Sequence, residues 1–238
     1  VGERSRRLEI RKNGKQWIAE LEDEEPVISE DPWFIAIKTR LSMVAHAIRV
    51  ANGFVPLHAA VVIREKDILL LSGPGGSGKT TLTLALLERG WSYSSDDLAP
   101  IQIDTHEIIP FPKPIGVKDS DRWSELSLLW SPEPWLPPPS GAFLVPPSIA
   151  TRIQRDPMQA THLVLLEFEE GVQSTLEEVT SARAVTCCGS QMESPTSQAL
   201  MELTRLCQSV VRRRLFYGSL DEGLSLILGL VDNSVNLV

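Results

Sequence analysis

The residues from Gly73 to Thr80 read Gly-Pro-Gly-Gly-Ser-Gly-Lys-Thr and satisfy the pattern G-x-x-x-x-G-K-[ST]. Glycines at these spacings let successive backbone N–H groups turn inward around a chain of phosphates, and a following helix adds its positive end. Lys79 would reach the outer phosphates as a point charge, and Thr80 would offer a hydroxyl to Mg2+. Gly73, Pro74, Gly75, Gly76, Ser77, Gly78, Lys79, Thr80 and Thr81 are therefore the candidate nucleotide-binding residues. A chain of this length meets the bare pattern by chance on the order of 1% of the time. Here an apolar run precedes it and a helical pattern follows, which is the context the chemistry needs. The bland alternative is a glycine-rich turn with no ligand.

Asp96 and Asp97 follow one helix and one strand later. A strand returning parallel beside the loop would bring its carboxyl end to the phosphates. Two adjacent acids there could divide the labour, one holding Mg2+ and one accepting a hydroxyl proton, although adjacent acids are more often simply solvated. The run before them, Trp91-Ser92-Tyr93-Ser94-Ser95, lacks the four apolar residues of an ordinary Walker B strand and points away from GTPases and motor ATPases. His58 gains interest from register. In a symmetric hairpin turning at Glu65-Lys66, Arg64 faces Asp67 and His58 faces Gly73, at the mouth of the loop. A satisfied core histidine is the competing reading. His46, His106 and His162 have no comparable geometric argument. Arg152 and Arg155 are candidates for stabilising charge on a transferred phosphoryl group, against the commoner role of surface arginines. Arg212-Arg213-Arg214 reads as an exposed helix end, where positive charge suits the dipole.

The elements that would position these residues are legible in outline. Leu8 and Ile10, then Trp17, Ile18 and Leu21, flank Asn13-Gly14, a short hairpin signal. Asp31 and Pro32 open a helix carrying Phe34, Ile37, Leu41, Val44 and Ile48. The runs at 57–64 and 67–72 form an antiparallel pair, the phosphate-loop helix runs to Arg89 with Gly90 as its stop, and strand-like pieces follow at 98–103 and 107–109. Ten of the 17 prolines lie between Pro110 and Pro147, with Trp123, Trp130 and Trp135 among them. That stretch is expected to be an ordered, Trp-anchored excursion without regular structure, or else a disordered insert. His162–Phe168 is a strand covered on both faces. Ser194-Pro195 open a helix with Leu200, Leu203, Leu206 and Val210. Leu215–Tyr217 is a short strand, and Ser219 with Glu222 caps a last helix. The fold class is α/β with a mixed sheet. It divides into an N-terminal hairpin and helix over 1–55 and a phosphate-loop domain over 56–238, which contains the proline-rich excursion 110–150.

Composition fits this. The 238 residues are 42% hydrophobic and 23% charged, globular proportions that permit a sizeable core. A net charge of −8 weighs against a duplex nucleic acid as partner. No apolar run approaches the ~20 residues of a membrane span and no signal segment opens the chain, so a cytoplasmic protein without a membrane partner is expected. Cys187, Cys188 and Cys207 have neither an even count nor metal-ligand spacing, which disfavours a disulfide scaffold or zinc module. Basic residues from Arg4 to Lys15 are followed by acidic ones from Glu20 to Asp31, either a solvated hairpin or a local basic face.

Leu57-His58-Ala59, a short hairpin, the phosphate loop and the Asp96-Asp97 pair together resemble the catalytic domain of HPr kinase/phosphorylase, a fold shared with ATP-dependent phosphoenolpyruvate carboxykinases. Pro110-Phe111-Pro112-Lys113-Pro114 and the Arg214–Tyr217 strand before a final helix are similar to smaller HPr-kinase-related proteins, some of which accompany bacterial peptide-modification clusters, including lasso peptide clusters. The resemblance is specific over about 57–117. It implies ATP and Mg2+ as cofactors, Lys79 on the phosphates, Thr80 on the metal, Asp96 as proton acceptor, Asp97 as a metal-side carboxylate and His58 as their neighbour. It also implies an acceptor serine on a peptide or small protein, and a homo-oligomer by analogy with hexameric full-length HPr kinases. No counterpart of their large N-terminal domain or of the phosphorylase loop is recognisable, which leaves HPr itself and the reverse reaction unsupported. The expected activity is an ATP- and Mg2+-dependent hydroxyl kinase. The rival readings are a small-molecule kinase and a nucleotide-dependent module in which an edge strand near residues 6–21 binds a leader peptide without transfer.

Overall fold

Continuous apolar strands need cover on both faces, and here the chain supplies it with helices on either side of one sheet. The computed structural model describes residues 7–21, 25–32, 34–36, 38–39, 43–44, 53–113, 115–117, 143–145, 152–192 and 195–234. Strands β1 (Leu8–Asn13), β2 (Gln16–Leu21) and β3 (Val27–Ser29) form a three-stranded antiparallel sheet in that order. Its first turn is Gly14-Lys15, with Asn13 paired to Gln16 and Gly14 at φ +59°. A glycine at the first position of a two-residue loop is what a type II′ turn requires. The expected hairpin is thus present, enlarged by a third strand. Helical backbone at 34–36, 38–39 and 43–44 lies in the stretch where a helix was expected; Ile37, Leu41, His46 and Ile48 fall outside the described residues.

Next come β4 (Phe54–Leu57), β5 (Ala59–Arg64), β6 (Asp67–Ser72), helix α1 (Lys79–Glu88), β7 (Ser92–Ser95) and β8 (Ala99–Gln102). The expected single strand 57–64 is broken at His58. Its first part, β4, leaves to pair with β8, while β5 stays in the main sheet. The β5–β6 pairing is the symmetric one, with Arg64 on Asp67 and Ala59 on Ser72, and the turn residue Glu65 takes φ +55°. Short strands β9 (Ile115–Val117) and β10 (Phe143–Val145) pair antiparallel. Regular structure therefore exists inside the proline-rich stretch, contrary to expectation, because two β-prone tripeptides flank the proline clusters. Trp123, Trp130 and Trp135 lie outside the described residues.

The C-terminal part adds β11 (His162–Phe168), β12 (Thr175–Glu178), α2 (Ser181–Gly189), α3 (Ser197–Ser209), β13 (Val211–Tyr217) and α4 (Leu220–Ser234). The main sheet has the order β12-β13-β11-β6-β5-β7, with β6, β11 and β13 parallel and β12, β5 and β7 making antiparallel contacts. One face (Ala60, Val62, Leu69, Leu71, Val164, Leu166, Leu215) packs on α1 and α4 through Leu82, Leu86, Leu224 and Ile227. The other (Ala59, Val61, Leu70, Leu163, Leu165) packs on α2 and α3 through Ala184, Cys188, Leu203 and Leu206. Fully burying a leucine-sized side chain stabilises by roughly 1.5–3 kcal/mol, so these layers hold the sheet rigid beneath its carboxyl ends. No helix among the described residues is long and apolar enough to cross a membrane.

The arginine triplet is not a helix end. Arg212, Arg213 and Arg214 lie within β13, paired parallel to β11. Arg214 makes a two-bond contact with Glu167 at 2.8 and 2.5 Å, and Arg213 lies 3.6 Å from Glu178. Acids on both neighbouring strands are what allow three adjacent arginines in a sheet. Only Arg212 keeps the expected helix-end role: its guanidinium donates to the Cys207 and Val210 carbonyls at the end of α3.

Candidate functional site

The phosphate loop begins where β6 ends, at the centre of the sheet. Close packing explains two of its glycines, Gly73 and Gly78. A Cβ on Gly73 would lie 2.7 Å from the Leu166 carbonyl oxygen and 2.5 Å from the Ser77 hydroxyl. Gly78 caps α1 at φ +86°, and a Cβ there would lie 1.8 Å from the Tyr217 hydroxyl. That hydroxyl donates to the Ser77 carbonyl at 2.9 Å, so the last residue of β13 buttresses the loop from behind. Lys79 is buried and its ammonium donates to the Gly73 and Pro74 carbonyls at 2.6 and 3.1 Å, which closes the loop on itself. No side chain caps α1 and its first turn holds no acid, so protein groups do not consume the positive end of the helix. The buried Ser77 hydroxyl also has no hydrogen-bond partner among the described residues. Such a cradle suits a polyphosphate.

The acids arrive by a different route. β7 runs in the same direction as β6, but β5 lies between them. The expected parallel neighbour is therefore one strand further out, at the sheet edge. Asp96 is fully buried, and the Thr80 hydroxyl lies 3.3 Å from one of its carboxylate oxygens and 3.5 Å from the other. Burial, then the charge of Asp97, pushes its carboxyl up from 3.8 to about 6. Asp97 is partly exposed and adopts φ +63°, a left-handed conformation that aspartate tolerates better than most residues. Its carbonyl accepts the Nδ1–H of His58 at 2.9 Å. Because a carbonyl can only accept, Nδ1 carries the proton and Nε2 is the acceptor of the neutral ring. Burial, and then the charge of Lys79, lower the pKa of His58. His58, just before β5, is in phase with Ala60 and Val62, whose face packs on α1.

Sequence reasoning missed Lys113. The Phe111 amide bonds the Ser94 carbonyl at 3.1 Å, and the buried Tyr93 hydroxyl donates to the Lys113 carbonyl at 2.8 Å. The chain thus continues along the outer edge of β7 until the Lys113 ammonium stands 3.5 Å from an Asp97 carboxylate oxygen. Its only sequence signal is placement after a run of prolines that stiffens the approach. Arg152 takes a different position on that edge: its carbonyl accepts from the Tyr93 amide, three residues before Asp96. His106 pairs with buried Glu202 of α3 at 2.6 Å, and His162 opens β11, at the end of the sheet away from the loop.

Thr80 and Asp96 are hard oxygen donors that fit Mg2+, which keeps waters and substrate phosphates among its ligands and needs few protein groups. Accordingly, no group of three or more His, Cys, Asp or Glu side chains among the described residues could hold a metal alone.

No family model matches this chain, and no curated protein does. Among solved structures it is similar to the HPr(Ser) kinase/phosphatase from Coxiella burnetii, at 14% identity, over 75% of this chain and 95% of that one, with a TM-score of 0.39.

Proposed function

We propose that the protein is an ATP- and Mg2+-dependent phosphotransferase that acts on a hydroxyl group. The observation that carries the reading is the 3.3 Å approach of the Thr80 hydroxyl to buried Asp96, which joins a phosphate cradle to an acid pair. A bare nucleotide-binding module has no need of two acids at that point. The loop amides and Lys79 hold the outer phosphates, and most of the rate comes from positioning and charge stabilisation. Bound between Thr80 and Asp96, Mg2+ would supply positive charge to the phosphate oxygens.

The contact with Thr80 favours a division of the acids opposite to the expected one, with Asp96 on the metal side and Asp97 facing the acceptor. Asp97 then takes the proton of the acceptor hydroxyl. The acceptor oxygen forms its bond to the γ-phosphorus as the bond from that phosphorus to the bridging oxygen breaks. ADP leaves with the bridging oxygen, and the proton passes from Asp97 to solvent. His58 acts by positioning, since its Nδ1–H fixes the Asp97 backbone in its left-handed turn.

The acceptor is proposed to be a serine of a peptide or small protein, supported by the motif resemblance at Leu57-His58-Ala59 and the Asp96-Asp97 pair. Incubation with labelled ATP, Mg2+ and peptides encoded beside the gene, followed by mass spectrometry, tests this. Label on a peptide serine is the expected result. Label only on small hydroxyl compounds would move the acceptor class, and ATP binding without any transfer would overturn the kinase reading.

A further inference from the structure

Among the described residues, Lys113 is the one lysine besides Lys79 that the fold brings to the acid pair, and its circumstances differ from those of a surface cation. Its side chain is only 11% exposed, yet its ion pair with Asp97 is 3.5 Å long, well beyond the ~2.8 Å of a tight charge-assisted bond. Burying an ammonium costs several kcal/mol, which a long contact to a partly exposed carboxylate offsets poorly. The residue is nonetheless firmly placed. The Tyr93 hydroxyl holds its carbonyl, its amide donates to the Phe111 carbonyl at 2.8 Å, and the proline that follows in sequence restricts its backbone to extended conformations. Thr80, next to Lys79, touches Asp96 while Lys113 pairs with Asp97, so the two lysines come to the acid pair from different elements. One cation belongs to the loop and the other to the acids.

We infer that Lys113 is a catalytic residue, its ammonium contacting the γ-phosphoryl group during transfer from the acceptor side while Lys79 holds the nucleotide side. The inference rests on the kinase reading above. As the bond to the bridging oxygen of ADP breaks and the bond to the acceptor oxygen forms, the equatorial oxygens of the phosphoryl group carry the negative charge. An ammonium already desolvated beside the path stabilises that charge without rearrangement. Its long contact with Asp97 leaves its donors available to the phosphoryl oxygens and leaves Asp97 able to take the acceptor proton.

The test needs no acceptor. Binding of MgADP alone and of MgADP with aluminium fluoride, a planar mimic of the phosphoryl group in flight, is measured for the parent protein, Lys113→Gln and Lys113→Arg. The thermal transition of each is recorded alongside. The parent is expected to bind the fluoride complex far more tightly than MgADP. Lys113→Gln should lose on the order of 100-fold in the fluoride complex while its MgADP affinity stays within about threefold, and Lys113→Arg should recover part of the loss. A purely structural lysine would weaken both ligands together. Lys113→Gln matching the parent in the fluoride complex, or losing both ligands equally, overturns the assignment; if Lys113→Gln fails to fold, the Lys113→Arg comparison decides in the same way. A parent protein that does not bind MgADP at all overturns the kinase reading itself, a result distinct from either.

Discussion

The two halves of the candidate site are built on opposite principles. The phosphate cradle hangs on β6, in the middle of the sheet, with parallel β11 beside it, β13 beyond that, and α1 following the loop. The acid pair hangs on β7, the outermost strand, whose outer side is completed by short bridges from Phe111 and Ile153. The first half is continuous in sequence from Gly73 to Thr81. The second draws His58, Asp96, Asp97 and Lys113 from three separated segments. A grip on phosphate needs backbone amides, which any glycine-rich turn before a helix supplies. A proton acceptor and a charge stabiliser need side chains at fixed separations, which only tertiary structure supplies.

If the halves are functionally as distinct as they are structurally, substitutions in one should change rate and those in the other affinity. The largest effect is expected from Asp97→Asn and Asp96→Asn, each slowing phosphoryl transfer by about 10²–10⁴-fold with ATP affinity within roughly threefold, as read by steady-state kinetics and equilibrium binding. Near-parental transfer by either variant would remove that acid from the reaction. Lys79→Ala sharpens the contrast from the other side, with ATP binding weakened about 10- to 100-fold in a fluorescence titration, the loss of a charged hydrogen bond to phosphate.

The third prediction concerns stability. Asp96 has a raised carboxyl, so the native state holds its proton more tightly than the unfolded chain, and stability declines as pH rises from near 4 through about 6. Without nucleotide, Asp96→Asn should therefore be more stable than the parent at pH 8, by on the order of 2 kcal/mol, with the gap closing toward pH 4. Urea unfolding at both pH values measures it, and a variant less stable than the parent at pH 8 would contradict the burial argument. The smallest effect belongs to Tyr217→Phe. Removing the hydroxyl that bonds Ser77 should cost about 1 kcal/mol in urea unfolding and weaken ATP severalfold, with the transfer rate at saturating ATP unchanged. A fall in that rate instead would mean that the buttress reaches across to the acids.

The same contrast explains what was legible in the sequence. The loop, α1 with its stop at Gly90, and the Arg64-on-Asp67 register follow from local chemistry, and all appear as read. β12 escaped because Thr175–Glu178 is a polar edge strand with no buried face to impose alternation. α2 escaped because only Ala184 and Cys188 of its nine residues are buried, too few to write a stripe. The start of α3 was set two residues early, since Thr196, not Ser194, caps it. The arginine triplet misled because its partners, Glu167 and Glu178, belong to other strands. Lys113 is the deepest case: nothing between Asp97 and Lys113 shows that the chain returns along β7, since that depends on the Tyr93 hydroxyl donating to Lys113 and the Ser94 carbonyl accepting from Phe111.

The hydroxyl of Tyr217 beneath Gly78 has a consequence for the order of assembly. The two residues it joins, Ser77 and Tyr217, are 140 positions apart, so as the ribosome releases the chain the cradle stays without its support until β13 has emerged far downstream of it. Nascent fragments ending before β13 should then fail to retain nucleotide, however much of the sheet they have already formed.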